Sequence, residues 1–179
     1  IPIDATPTAG APIGMRYRLL ETIRQYARDR LHDAGGGASV RDRHLDYFLK
    51  LGEEAEPQLR RGEQVAWRDR LEGELDNVRL ALEWSLAARV DDGLRLAGAL
   101  LWFWHIRGHR NEGIDWVRQL VAAQGDLDET STPERHLIRG RAFLALGFLT
   151  QFQNQPDQGQ GPLRQAIRHL CTVGLPGDV

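Results

Sequence analysis

The 179-residue chain has one cysteine, one methionine and one lysine: Cys171, Met15 and Lys50. A single cysteine cannot close an internal disulfide, which excludes a secreted disulfide scaffold and makes the cytoplasm the expected location. The first residue is not methionine, and the chain is expected to be a segment of a longer protein. Long apolar runs are also missing, since Leu96 to Trp104 is about half of the ~20 residues that cross a bilayer. Ile1-Pro2-Ile3-Asp4 has neither the basic nor the apolar region of a signal peptide, so no membrane partner is expected. A net charge of -2 and a pI near 6.3 provide no overall basic field for nucleic acid.

Motifs for several chemistries are absent as well. An ATPase would need a glycine-rich loop closing on Gly-Lys-Ser/Thr, but Gly35-Gly36-Gly37-Ala38-Ser39 contains no lysine and reads as a helix end and turn. There is no Gly-x-Ser-x-Gly, and His169 and Cys171, two apart on a helix, point in different directions. His105 and His109 have metal-ligand spacing, yet Gly108 is expected to end the helix between them. His32, His44, His136 and His169 form no short metal motif. Neither catalytic residue, cofactor nor metal is therefore expected.

What is present is helical periodicity. Residues 1–14, rich in proline and glycine, read as a linker. Met15, Tyr17 and Leu19 alternate with arginines as a short strand, and Leu20, Ile23, Ala27 and Leu31 continue at helical spacing. Ser39 and Asp42 suggest a capping box for a helix carrying Leu45, Phe48, Gly52, Ala55 and Leu59. Arg60-Arg61 reads as a solvated helix end. Trp67 to Leu86 repeats at the same spacing, with Gly73 and Asp76-Asn77 suggesting a break. Helices are predicted over Leu94–Arg107, Asn111–Ala123, Pro133–Phe152 and Pro156–Cys171, with Thr132 capping the third of these. The expected fold class is all-α: antiparallel helical hairpins stacked as a right-handed solenoid, with a short N-terminal strand. The domain reading is a linker (1–14), a strand plus helix (15–34), a helical bundle or repeat region (39–123), a hairpin (132–171) and a C-terminal tail (172–179).

Two stretches can be superposed as repeats. Trp104, Gly108, Gly113, Val117 and Leu120 lie over Thr150, Asn154, Gly159, Leu163 and Ala166, a pattern that resembles the tetratricopeptide repeat. Thr150 stands where an aromatic is usual, and the two turns are further apart than in the regular repeat. A second resemblance covers roughly residues 15–170. RYRLLETIRQYARDRL, EEAEPQLRRGEQVAWRDRLEGELDNVRLALEWSL and LRLAGALLWFWHIRGHRNEGIDWVRQLV look like the region after the nucleotide-binding module in STAND-class ATPase transcriptional regulators of the LuxR or SARP type. That resemblance implies the end of a winged-helix subdomain over 15–34 followed by a helical sensor arm. It also implies that the partners include the ATPase and DNA-binding domains of the parent chain, which lie elsewhere. Direct DNA contact by Arg16, Arg18, Arg24, Arg28 and Arg30 is not expected without a recognition helix.

The most informative residues are aromatic. Consecutive helical positions are ~100° apart, so Trp102, Phe103 and Trp104 cannot all face one core layer. Either all are buried between stacked helices, or some line a groove for an effector or partner protein, with His105, Arg107 or Arg110 supplying polar contacts. The candidate binding set is Trp84, Trp102, Trp104, His105, Arg107 and Arg110. The reading is a non-catalytic sensor and interaction domain; its alternative is a structural or self-association arm, and a homo-oligomer is compatible with both.

Overall fold

The computed structural model describes Tyr26, Arg30 and residues 36–128, 130–152 and 157–174. The linker at 1–14, the strand at Met15–Leu19 and nearly all of the first expected helix lie outside the described residues. The chain divides into two compact units, Ile1–His44 and Leu45–Val179. The hydrophobic core of the described residues lies entirely in the second unit.

From Gly37 onward the described residues form seven helices: α1 (Gly37–Gln58), α2 (Gln64–Ala88), α3 (Val90–Ala99), α4 (Leu101–Arg107), α5 (Arg110–Gln124), α6 (Pro133–Gln151) and α7 (Asp157–Thr172); Tyr26 and Arg30 are helical as well. The fold is all-α, and no strand occurs among the described residues. None of the helices is long and apolar enough to cross a membrane.

Three local expectations are corrected. Ser39 does not cap a helix, because α1 already begins at Gly37. Gly73 and Asp76-Asn77 do not break α2. Leu71, Leu75, Val78, Ala81 and Leu82 are buried along one stripe, and that burial outweighs the ~1 kcal/mol helix penalty of one glycine. Asn77 Nδ2 is occupied within the helix, donating to Glu74 Oε2 at 2.7 Å. Conversely, the stretch Leu94–Arg107 is two helices. Leu100 separates α3 from α4 with φ -84° and ψ 7°. The ladder survives the step: Leu100 N–H donates to Leu96 O and Trp104 N–H to Leu100 O.

Other boundaries follow their signals. Thr132 Oγ1 accepts from Arg135 N–H, with Pro133 opening α6, as the preference for hydroxyl caps and first-turn proline requires. Gly108 ends α4 at φ +82°, a conformation that favours glycine. The expected C-terminal tail starts as the last residue of α7, Thr172, and the turn at Val173-Gly174.

One continuous core joins α1 through α6, built from leucines such as Leu45, Leu71, Leu82, Leu94, Leu100 and Leu149 together with Phe103 and Trp104. Helices approach closely where glycine removes a side chain. Gly93 faces Ser85 and Leu120, bringing α3 against α2 and α5. In the α6–α7 hairpin the facing pairs are Gly140 with Leu170, Gly147 with Leu163 and Gly159 with Gln151. Positions rising along α6 meet positions falling along α7, so the two helices run antiparallel.

Ion pairs lie over this core. Arg79 on α2 forks onto Glu112 on α5 through Nε and Nη2 at 2.7 and 2.8 Å. Arg89 reaches Asp46 and Asp92, Arg95 reaches Glu53 and Asp92, and Arg141 on α6 reaches Glu56 on α1.

Candidate binding surface

Helix α4 is short, and the direction of each of its side chains decides what it does. Phe103 and Trp104 turn inward and are 1% and 0% exposed. The Trp104 indole Nε1–H donates to Ala97 O at 3.3 Å, and the ring packs beside Gly113. Trp104 is therefore a core residue and offers no surface to a ligand, which corrects its place in the expected binding set. Trp102, two residues before it, turns to the other side. Its ring lies 5.1 Å from Phe148 and 6.1 Å from His105.

Around Trp102 the structure assembles a half-buried aromatic surface from two helices. His105 lies 5.2 Å from Phe148 and 4.5 Å from Phe152, and the two phenylalanines are 5.0 Å apart. Two guanidiniums border it: Arg60 lies 5.1 Å over the Trp102 ring and Arg110 lies 6.0 Å from the Phe152 ring. Both distances fall within cation–π range. Phe152 remains 50% exposed, so the surface is open.

The polar atoms of this cluster set it apart. Trp102 Nε1, His105 Nδ1 and Arg110 Nε are all buried and have no hydrogen-bond partner. Leaving such a group unsatisfied costs about 1–3 kcal/mol, so three in one place call for an explanation. Burial, reinforced by the Arg110 charge, lowers the His105 pKa below its ordinary value. The imidazole is thus neutral at pH 7 and can act as either donor or acceptor. Together these groups form a platform for stacking, with unused hydrogen-bonding capacity at its edges.

The remaining expected residues lie elsewhere. Arg107 is tied to Glu72 Oε2 at 2.8 Å and lies 3.7 Å from Asp69. His109 approaches the same Glu72 carboxylate at 3.3 Å. Burial pushes the Glu72 pKa up, but hydrogen bonds from Arg107 and His109 outweigh it and leave the pKa lowered. This network pins the end of α4 to α2. His105 and His109 therefore part company at Gly108, and no group of three or more potential metal ligands occurs among the described residues. Trp84 is half-buried against the core.

Sequence spacing did not single out Arg60, Phe148 or Phe152. Phe148 and Phe152 stand four apart along α6 and its C-cap, a helical repeat that marks one face, but their pairing with α4 is tertiary. Arg60, expected as a merely solvated helix end, is exposed and lies over Trp102. His136 and His169, which form no sequence motif, meet at 3.0 Å between their Nδ1 atoms.

Two relatives, from Mycobacterium tuberculosis strain H37Rv and Mycobacterium bovis, each bear the name "Putative HTH-type transcriptional regulator". Both are 38% identical to the chain over 166 residues, which takes in 90% of this chain. The chain spans 18% of the length of each relative. No family model matches the chain, and no solved structure matches it. In sequence, nine-tenths of this all-helical chain is thus similar to one segment of much longer proteins named as HTH-type transcriptional regulators.

Proposed function

We propose that the chain is a helical-repeat sensor and interaction region of a bacterial transcriptional regulator. It binds an effector or partner at the Trp102–His105–Arg110 surface and has no catalysis of its own. The observation that carries this reading is the set of three buried, unpartnered polar atoms inside an open aromatic cluster. A planar molecule stacking on Trp102 and Phe148 would find acceptors and donors wanted at its edge. The 38% identity to HTH-type regulators supports the regulatory context, and the closely packed antiparallel α6–α7 hairpin supports tetratricopeptide-like pairing of helices, which on this proposal stack as a right-handed solenoid. On this reading the parent chain supplies a STAND-type ATPase switch and a LuxR-type or SARP-type DNA reader. Binding energy then reaches the switch by favouring one of its two states.

A small-molecule thermal-shift screen on the chain, repeated on Arg110→Met and His105→Ala, tests this. A ligand at 100 times its Kd adds ~2.7 kcal/mol to the folded state. A compound that raises the Tm of the chain but not of these variants bears the reading out. Compounds that stabilise all three proteins equally would place the ligand away from this surface and overturn its assignment, whereas no stabilising compound at all would favour a structural arm.

A further inference from the structure

The groove between α5 and α6 contains a buried charge that lacks a buried counter-charge. Its volume is about 430 Å3, and its lining includes Arg118, Val121, Asp126, Arg139, Phe143 and Leu146. The Arg139 side chain is only 8% exposed. Its Nη1 donates to Gln124 Oε1 at 3.0 Å and to the carbonyl of Gly125. The guanidinium lies 5.5 Å from the Phe143 ring centroid. Its Nε–H has no acceptor. Asp126, the carboxylate within ion-pair range, stands 4.0 Å from Nη2 with its side chain fully in solvent.

Buried charges are ordinarily paired, because desolvation costs several kcal/mol per ion and neutral acceptors recover only part of it. Here the inner contacts are two neutral oxygens and an aromatic face. Arg118 enters the same groove from α5, exposed and without an acidic partner among the described residues. Two guanidiniums and one carboxylate leave about one unit of positive charge over a floor of Val121, Phe143 and Leu146, a balance that suits a monoanion.

We propose that this groove binds a small organic carboxylate, with its anionic head between Arg118 and Arg139 and its apolar body on Phe143, Val121 and Leu146. The volume falls in the range of small-molecule pockets, and guanidinium is the side chain whose planar donors match a carboxylate. Asp126, fully in solvent and 4.0 Å from Arg139 Nη2, is the one carboxylate of the lining with which such a ligand would compete. The site is distinct from the Trp102 surface and does not depend on that reading.

Benzoate is the probe and benzamide its uncharged counterpart, each titrated into the chain by NMR at constant ionic strength. The expected result is saturable benzoate binding with benzamide at least about tenfold weaker, since only the former makes charge-assisted hydrogen bonds. Arg139 is buried and its replacement can unfold the chain, so the variants are placed at the exposed Arg118 and Asp126. Arg118→Ala should weaken benzoate several-fold at unchanged Tm, and Asp126→Asn should tighten it by removing the competing carboxylate. The proposal is overturned by equal affinity for benzoate and benzamide, by indifference to both variants, or by no saturable binding up to the solubility limit. Loss of benzoate binding in Trp102→Leu with retention in Arg118→Ala would also overturn it, since that result places the probe on the other surface.

Discussion

Gly113 stands so close to Trp104 that a methyl group at its Cα would fall 2.6 Å from the indole Cγ. The contact joins α5 to α4 just past the Gly108 turn and holds Trp104 in the core, which leaves Trp102 facing the other way.

Gly113→Ala is therefore expected to destabilise the chain by about 1–3 kcal/mol from overpacking, less up to ~1 kcal/mol for the better helix former. The contrasting variant is Gly98→Ala, where nothing lies within 4 Å of the added methyl. There the helix preference acts alone and a gain of ~0.5–1 kcal/mol is expected. Urea unfolding of the two variants should give midpoint shifts of opposite sign.

Gly147→Leu should damage the α6–α7 hairpin more severely. Even the first carbon of the new side chain would meet Leu163 Cγ at 2.6 Å and the Gly159 carbonyl oxygen at 3.2 Å. A backbone oxygen cannot step aside as a flexible side chain can. The expected loss is about 3 kcal/mol or partial unfolding of α7, and amide exchange in residues 157–172 would show which.

Acid should weaken the fold in a defined window. His136 Nε2–H donates to Asp128 O at 3.1 Å, so neutral His136 accepts at Nδ1 and His169 Nδ1–H donates to it. Burial, then the charges of Arg139, His136 and Arg168, lower the His169 pKa, and His105 shifts in the same direction. A histidine whose folded pKa is depressed takes up its proton more readily when unfolded. Its penalty is absent above the ordinary value near 6.5 and grows as pH falls from there to the folded pKa. Urea midpoints should thus decrease from pH 7.5 to 5.5, and His169→Phe, which keeps the stacking on Phe143, should flatten that decrease. An unchanged slope in the variant would remove His169 as its source.

Glu112→Gln should cost under about 1 kcal/mol despite the two short hydrogen bonds from Arg79, because the arginine side chain is 41% exposed and water screens the pair. Hydrogen bonding from Arg79 holds the Glu112 pKa below the usual carboxylate range. Its contribution is therefore present above the unfolded value and is lost as pH falls through the lowered one, well under the histidine window. A double-mutant cycle with Arg79→Met, measured at low and high salt, would isolate the coupling.

The placing of helices was legible in the chain because it depends on local periodicity and punctuation. Leu71, Leu75, Val78 and Leu82 mark a buried stripe by spacing alone, Thr132-Pro133 starts a helix by its own hydrogen bond, and Gly108 ends one by its φ. The exclusion of one common layer for Trp102, Phe103 and Trp104 follows from ~100° per residue. Which of the three turned outward did not follow. That was decided by Gly113, whose missing side chain makes room for Trp104, and by Phe148, which meets Trp102 from a helix far along the chain. The continuity of α2 through Gly73 and the step at Leu100 were likewise settled by packing, where burial of whole side chains exceeds the fraction of a kcal/mol that distinguishes one local conformation from another. The pairing of His136 with His169 and the buried charge of Arg139 have no sequence signature, because each depends on how α6 packs against segments outside its own helix.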